Sequence, residues 1–521
     1  IVLVPHCFVW GLRPTQAETG VIDVLFGSRE SPGFVRAILQ FLRTSRSVTI
    51  VACPPVYLGD RREDDSSIRE ELVASLDGAM RSVTGPLERN PYRTADLVLD
   101  DPGLVEEVAR ISAATGRPLT RVRRDAEKEL GRLMARLNPA AIGILDGIFS
   151  RVWPTLYESV EVEPPDLEAV KAAAGKGPLI VVPTHRSHLD YLLLSWLFHH
   201  RSLPVPYIAA GRNLSFFPLG YVFRRAGAFF IPRTLVGKDL EKAVLRAYAH
   251  RVMEDSHHVE IFLEGTRSRS GKVLPMHTGL LEMFLEKARE YGPGRVHLLP
   301  AAFCYERVVE EENYAGEQMG GSKDAEGLGG LLSTTDVLSS AYGRLVIRFG
   351  DPIALSDLVA GDPEPGSRRS VARLAYRMAW EMNRLEALTP TGLVAVSLLQ
   401  GPFYGSDERQ LFESAVFYLS LAVASGKPIS PILRSCEGMR IEDVGDEGSP
   451  AFRDLKEIMY QAIHLLAEDD LVSIKGWSRR GVYTVPWDKR LRLEYYRNAA
   501  IGPVSATVAS PATSSTPSRA R

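Results

Sequence analysis

Long apolar runs, paired cysteines and an excess of charge of either sign are all missing from this 521-residue chain. No stretch of about 18 uninterrupted apolar residues occurs, which argues against a membrane-spanning helix. The longest apolar runs, around Tyr191–Phe198 and Leu411–Ala424, are both broken by polar groups. The four cysteines, Cys7, Cys53, Cys304 and Cys436, stand far apart with no CxxC, so a thiolate metal site or redox pair has no support. Such sparse use suits a reducing compartment. Lys and Arg number 62 against 64 Asp and Glu, a net charge of −2. Without a basic excess there is nothing to grip a phosphate backbone, so nucleic acid is not an expected partner. At 45% hydrophobic and 24% charged residues the chain is a folded protein, which excludes disorder throughout, collagen and a disulfide miniprotein. It opens on Ile1, not Met, inside a strand-like run, as expected of a piece of a longer chain; a targeting segment ahead of it would not be seen.

The length corresponds to about three or four domains. Residues 1–160 read as an N-terminal α/β and helical region. IVLVPHCFVWG and RSVTIVACPPVYLG have strand character, FVRAILQFLRTS between them has helical spacing, and three more helical stretches follow. Pro139 and Gly143 interrupt before a further helix, AIGILDGIFSRVW. Over 161–360 the pattern changes. LIVVPTH, LPVPYIAAG, GAFFIPRT, VEIFLEGTRS, VHLLPAAFCY and RLVIRFGDPI are six short strand-like runs, with helical stretches between most of them. That alternation predicts an α/β fold, a mixed and mostly parallel sheet flanked by helices. Residues 316–336 hold six glycines and read as a mobile surface loop. Residues 361–500 read as a C-terminal helical region ending in a small hairpin, SIKGWSRRGVYTVP, and 501–521 as a disordered tail. No internal repeat is found.

The chemistry-bearing residues fall on strand ends. In PTHRSHLDY, His185 and Asp190 lie five apart across a strand–turn–helix junction. There the carboxylate can fold back onto the imidazole and fix it as a general base. Asp190 as a plain helix cap, or His185, His188 and Asp190 together as metal ligands, remain open on spacing alone. No GxSxG accompanies the pair, so the base is expected to act directly on a substrate hydroxyl. GAFFIPRT ends a strand in Arg233, a residue type suited to a phosphate or carboxylate, and equally to a surface salt bridge. FLEGTRSRSG gathers Glu264, Gly265, Thr266, Arg267, Ser268, Arg269 and Ser270, where Gly permits a close backbone turn and the arginines and hydroxyls suit an oxyanion. Between Arg201 and Lys272 stand 12 Lys and Arg against 6 Asp and Glu, in a chain that is net negative. The positive charge is concentrated here, which favours an anionic substrate or a membrane surface. VHLLPAAFCY, with Pro300, reads as a core strand.

These four blocks in this order resemble the glycerolipid acyltransferase superfamily, marked by a His-x4-Asp motif. HRSHLD resembles its first block, GAFFIPR its second, FLEGTRSRSG its third and LLPAAF its fourth. IAAGRNLSFFPLGYVFRRAGAFF resembles the bacterial membrane-associated glycerol-3-phosphate acyltransferases and the related dihydroxyacetone-phosphate acyltransferases. VPHCFVWGLRP resembles the region ahead of the bacterial catalytic domain. The resemblance is strongest over about 160–355, weaker over 1–160 and faint beyond 370. There are departures. Pro232 stands where the bacterial second block has a further arginine, Thr266 where it has Gly, and Ala301 where a branched residue is common.

The resemblance implies the glycerolipid acyltransferase fold and an acyl transfer to the 1-hydroxyl of glycerol 3-phosphate, the first step of phospholipid synthesis. The donor would be acyl-CoA or acyl-carrier protein as co-substrate, with no cofactor and no metal. His185 and Asp190 are the implied catalytic residues. Arg233, Arg267 and Arg269 are implied to hold the phosphate, with Glu264, Gly265 and Ser268 shaping that loop and Pro300 in the acyl-chain groove. Dihydroxyacetone phosphate or lysophosphatidate as acceptor, a silent lipid-binding protein on the same fold, and a metal-dependent phosphohydrolase are the competing readings. A lipid product and a long-chain donor imply a peripheral protein on the cytoplasmic face of the cell membrane, touching membrane phospholipids. The expected contact surface comprises Phe216, Phe217, Tyr221, Phe223, Arg224 and Arg225.

Overall fold

The computed structural model describes residues 2–10, 48–53, 55–57, 68–69, 72, 76, 86, 89–216, 218–290, 295–318, 340–359, 367–400, 405–475 and 481–508. Two short antiparallel ribbons stand near the N-terminus, Val2–Leu3 with Val56–Tyr57 and His6–Trp10 with Val48–Ala52. The helix expected over FVRAILQFLRTS, most of EELVASLDGAMRSV and most of the glycine-rich loop lie outside the described residues.

The six expected strands form the body of one eight-stranded sheet. Its members are β1 (Ser159–Val162), β2 (Leu179–Pro183), β3 (Tyr207–Gly211), β4 (Ala228–Ile231), β5 (Val259–Glu260), β6 (His297–Tyr305), β7 (Arg344–Phe349) and β8 (Ile353–Ala354). The order is β1-β7-β6-β2-β5-β3-β4, with β8 beside the start of β6. β6, β2, β5, β3 and β4 run parallel; β7 runs against β6 and carries β1 alongside it. The carboxyl ends of the five parallel strands therefore share one edge, where ligands bind in such sheets. Strand β1 was not foreseen: four residues without an apolar run, it sits at the sheet's border and begins ahead of the expected boundary at 161.

The central strands are apolar along their whole length because both sheet faces are covered. On one face Leu179, Val181, Leu299, Ala301, Phe303 and Tyr305 pack against α4 (Pro139–Leu156), α6 (Asp190–His200), α12 (Pro390–Leu399), α13 (Glu408–Ala424), α14 (Pro450–Ala467) and α15 (Arg490–Val508). On the other, Ile180, Val182, Phe229 and Leu298 pack against α1 (Pro91–Leu99), α2 (Pro102–Thr115), α3 (Leu119–Leu133), α8 (Asp239–Glu254), α9 (Gly279–Glu290) and α11 (Arg368–Leu385). The helices expected as separate N- and C-terminal regions are the two coats of this one sheet. Helix α6 shows why. DYLLLSWLF has no polar face, so a single apolar contact could not satisfy it, and Leu193, Leu194 and Phe198 are fully buried between sheet and coat.

Several local expectations shift. Pro139 does not break the chain but occupies the first turn of α4, where its missing N–H loses nothing; Asn138 caps that helix by accepting from the N–H groups of Ala140 and Ala141, and Gly143 lies inside it. Gly316 belongs to α10 (Glu311–Gln318). The hairpin forms, pairing Ser473–Lys475 with Val482–Thr484. Helix α15 runs on to Val508, into the stretch expected as a tail; residues 509–521 lie outside the described ones.

Candidate active site

Strand β2 ends at Pro183 and the chain turns through Thr184–Leu189 into α6. The turn is tied to its neighbour: Thr184 is fully buried and its hydroxyl accepts from the N–H of Phe303 at 3.0 Å. Within the turn Ser187 Oγ accepts from the N–H of Leu189. These bonds bring His185 and Asp190 together, with His185 Nδ1 3.0 Å from Asp190 Oδ2. The carboxylate can only accept, so Nδ1 carries the proton and Nε2 is left with a lone pair and no partner among the described residues. Asp190 is wholly buried and wholly satisfied. Oδ2 also accepts from the N–H groups of Arg186 at 2.6 Å and Ser187 at 2.9 Å, and Oδ1 accepts from the Tyr305 hydroxyl at 2.7 Å. Its place in the first turn of α6 adds the favourable end of the helix dipole. The imidazole, 14% exposed, lies against the Phe262 ring at 4.2 Å between centroids.

The loop after β5 is the second wall. Glu264 does not face outward: Oε1 accepts from the His185 N–H and Oε2 from the Leu274 N–H, both at 2.8 Å, and burial raises its carboxyl. Ser268 is likewise internal, its N–H donating to the His185 carbonyl and its hydroxyl to that of Lys272. Gly265 has φ +67°, and a side chain there would meet the His277 ring. These three residues brace the loop against the turn, so they come to the site as its frame. Arg267 donates to Glu310 at 3.3 Å and to the Tyr314 hydroxyl at 3.2 Å; Arg269 donates to Glu317 at 2.8 Å. Arg233, two residues beyond β4, is exposed and without a partner among the described residues. Three strand spacings separate β4 from β2, about 14 Å.

Pro300 lies elsewhere. It sits inside β6, which presents Leu299, Ala301, Phe303 and Tyr305 to the α6 side, so period-2 alternation turns Pro300 to the other face. Its missing N–H falls where β6 changes partner from β8 to β7, a gap no ladder bond has to fill. An apolar cleft lies instead beneath α6, walled by Ile142, Leu145 and Phe149 of α4, Tyr191 and Leu192, and Ala210 and Ala228 of the sheet. It runs from Tyr191, next to the dyad, to His199, about 12 Å along the helix axis.

The residues that sequence reasoning passed over are buried partners: Tyr305, Glu310, Tyr314 and Glu386. Glu310 accepts from the Ser187 hydroxyl and the His188 N–H, both at 2.7 Å. Glu386 pairs with Arg186, both buried, behind the His-x4-Asp turn. Burial, with the charges of Arg267, His185 and Arg269, pushes the His188 imidazole down to about 3, so it is neutral. Among the described residues no three His, Cys, Asp or Glu side chains come together as a ligand set, and no helix is long and apolar enough to cross a membrane.

Of the expected lipid-facing side chains, Phe216 and Tyr221 are exposed, and Arg225 stacks on Tyr221 at 3.7 Å. Phe223 is in the core, and Arg224 donates to the carbonyls of Gly131, Arg132 and Met134. Phe217 lies outside the described residues.

Residues 161–303 match the acyltransferase family model, and 314–502 match the model for the glycerol-3-phosphate acyltransferase C-terminal region. Curated relatives named glycerol-3-phosphate acyltransferase include those of Pseudoalteromonas translucida (28% identical, covering 80% of this chain and 54% of the relative) and Actinobacillus succinogenes (30%, 80% and 52%). That of Ectopseudomonas mendocina is 30% identical over 82% of this chain and 54% of its own. The chain thus spans about half the length of the curated relatives it matches. A solved 1-acyl-sn-glycerophosphate acyltransferase from Thermotoga maritima is 18% identical over 46% of this chain and 79% of its own, with a TM-score of 0.28, a likeness too slight to build on. An acyltransferase match followed by a match to that C-terminal region, in this order, makes the chain similar over most of its length to the glycerol-3-phosphate acyltransferases.

Proposed function

We propose that this protein transfers a fatty acyl group from acyl-CoA or acyl-carrier protein to the 1-hydroxyl of glycerol 3-phosphate, giving lysophosphatidate. The observation that carries this reading is the His185–Asp190 pair, 3.0 Å apart on a fixed turn, with Nε2 unoccupied beside a set of arginines. His185 Nε2 takes the hydroxyl proton as the oxygen attacks the thioester carbonyl. The tetrahedral oxyanion collapses, the C–S bond breaks, and the sulfur leaves with the proton from the imidazolium. Asp190 holds the tautomer and balances the imidazolium. No acyl-enzyme forms. Arg233, unpaired, is the first phosphate ligand; Arg267 and Arg269 join it by exchanging or sharing Glu310 and Glu317. The cleft under α6 takes the acyl chain. Alignment of hydroxyl, base and thioester supplies much of the rate.

The protein works at a membrane surface without spanning it. Helix α4 lines the cleft with one face and presents Ile144 (65% exposed) and Ile148 (49% exposed), one turn apart, on the other. Arg225, stacked on the exposed Tyr221, adjoins the start of α4: the Asn138 N–H donates to the Arg225 carbonyl. Apolar side chains rimmed by arginine suit the interface of an anionic bilayer.

The deciding assay supplies palmitoyl donors with glycerol 3-phosphate, dihydroxyacetone phosphate and lysophosphatidate in turn, beside His185→Ala. Turnover with glycerol 3-phosphate, lost in the variant, is expected. Activity retained in His185→Ala would sink the mechanism, and preference for another acceptor would reassign the substrate. Binding to vesicles containing anionic lipid, weakened by Ile148→Glu, is the result expected of the membrane face; indifference to vesicles would remove it.

A further inference from the structure

We propose that Tyr305 is a positioning residue for the proton transfer, its hydroxyl fixing the second oxygen of Asp190 and thereby tuning His185 as a base. This rests on the reading of His185 as general base. The two oxygens of Asp190 are held differently. Oδ2 has three donors, all from the turn that also contains the aspartate: the His185 ring and the N–H groups of Arg186 and Ser187. Oδ1 has one, the Tyr305 hydroxyl at 2.7 Å, from the last residue of β6. Asp190 is fully buried, so no solvent replaces that donor. The tyrosine cannot swing away, because its ring is packed between Phe303 (6.2 Å between centroids, 20° between planes) and Tyr157 (6.0 Å).

The sign of the effect follows from charge. A hydroxyl donates most strongly to a carboxylate carrying its full charge, which is the state with His185 neutral. When His185 is protonated, the ion pair draws that charge toward Oδ2. The Tyr305 hydroxyl therefore favours the neutral imidazole, the form able to accept the substrate proton. Little else nearby changes charge. Burial raises Glu260 on β5 well above the usual carboxyl range, helped by Asp190, and raises Glu310 and Glu264 too. His188 is neutral. Tyr157, Tyr191, Tyr314 and Tyr495 face the carboxylate as buried phenols that burial keeps protonated. Arg186 and Arg267 are the cations around the pair.

The test is Tyr305→Phe in the full chain, with site-specific 3-fluorotyrosine at 305 as a second variant that keeps the shape and strengthens the donor. For Tyr305→Phe we expect kcat to fall about ten- to a hundredfold, on the scale of one hydrogen bond to a charged group. KM for acceptor and donor should stay within about twofold, and the acid limb of kcat/KM should move to higher pH. Fluorotyrosine should move it lower. The His185 ring signal, titrated by NMR without substrate, should shift in the same two directions. That readout stands even if the acceptor is reassigned or no turnover is found, so failure of the tyrosine's role and failure of the proposed function are distinguishable. An unmoved acid limb and an unmoved ring titration in folded protein would overturn the inference. So would a loss of activity that only follows a lower thermal midpoint.

Discussion

Two parts of the candidate site, the His-x4-Asp turn and the arginines, are built in opposite ways. The His-x4-Asp turn is closed on itself: both Asp190 oxygens, the Ser187 hydroxyl and the backbone N–H groups of residues 184–187 are held by hydrogen bonds, while His185 Nε2 is left open. The arginine wall is held by ion pairs that the proposed phosphate would replace, Arg267 with Glu310 and Arg269 with Glu317, while Arg233 has no partner among the described residues. A proton moves only if its acceptor sits within a few tenths of an ångström of the right place, so that wall is rigid. A dianion is attracted from several ångströms, so its wall can exchange partners. Backing differs too. Behind the turn lies a buried charge set, Arg186–Glu386 with Lys427 donating to the Glu386 carbonyl; behind the loop lies a neutral bond, Asn498 to the Ser270 carbonyl.

The contrast can be broken at its rigid side first. His185→Ala should lower kcat by about 10²–10⁴ with a proportionally much smaller drop in thermal midpoint, because Asp190 keeps three other donors. Equal loss of both would mean the ring is structural. On the exchangeable side, Arg233→Ala should raise KM for glycerol 3-phosphate about tenfold and leave stability alone. Arg267→Ala should raise that KM and also lower the thermal midpoint, since it strands the buried Glu310 carboxyl. Identical melting curves for these two variants would erase the distinction. At the back of the loop, Gly271 has φ +75°, and an added Cβ would clash with the Tyr495 carbonyl oxygen. Gly271→Ala should cost about 2 kcal/mol in denaturant unfolding and loosen glycerol 3-phosphate binding more than acyl-CoA binding. The smallest effect is at the back of the turn. Burial pushes the Lys427 ammonium down to about 7 from 10.5. The unfolded chain then binds more protons between those values, so stability rises with pH across that window, by about 1 kcal/mol from pH 7 to 8. Lys427→Met should flatten that rise.

What was legible in the sequence is what is local. Strands buried on both faces read as unbroken apolar runs, and the His185–Asp190 pair spans one turn, so both were plain without the fold. Tyr305, Glu310 and Glu386 were not, because each meets the turn across more than a hundred residues and each, alone, is an ordinary residue at the end of an ordinary element. That Glu264 and Ser268 shape the loop follows from the motif; how they do so, with backbone groups occupying the carboxylate and the hydroxyl, is visible only in the fold. That Pro300 faces away from the cleft under α6 is something the sequence did contain. Counting alternate residues along β6 from Tyr305 puts Pro300 on the far face.

The double coating of the sheet bears on how this protein can be handled by engineers. Strands β2 and β6 have no wet side, and the helices that cover them beyond α6, α8 and α9 come from 91–133 and 139–156 on one hand and 368–508 on the other. A gene fragment trimmed to 161–303 would keep α6, α8 and α9 but lose the rest of both coats and strand β7, leaving apolar sheet exposed on both sides, a template for aggregation on expression. Swapping acyltransferase specificities between relatives is accordingly a matter of grafting side chains into the intact chain, at the cleft under α6 and the arginine wall, and not of exchanging cassettes.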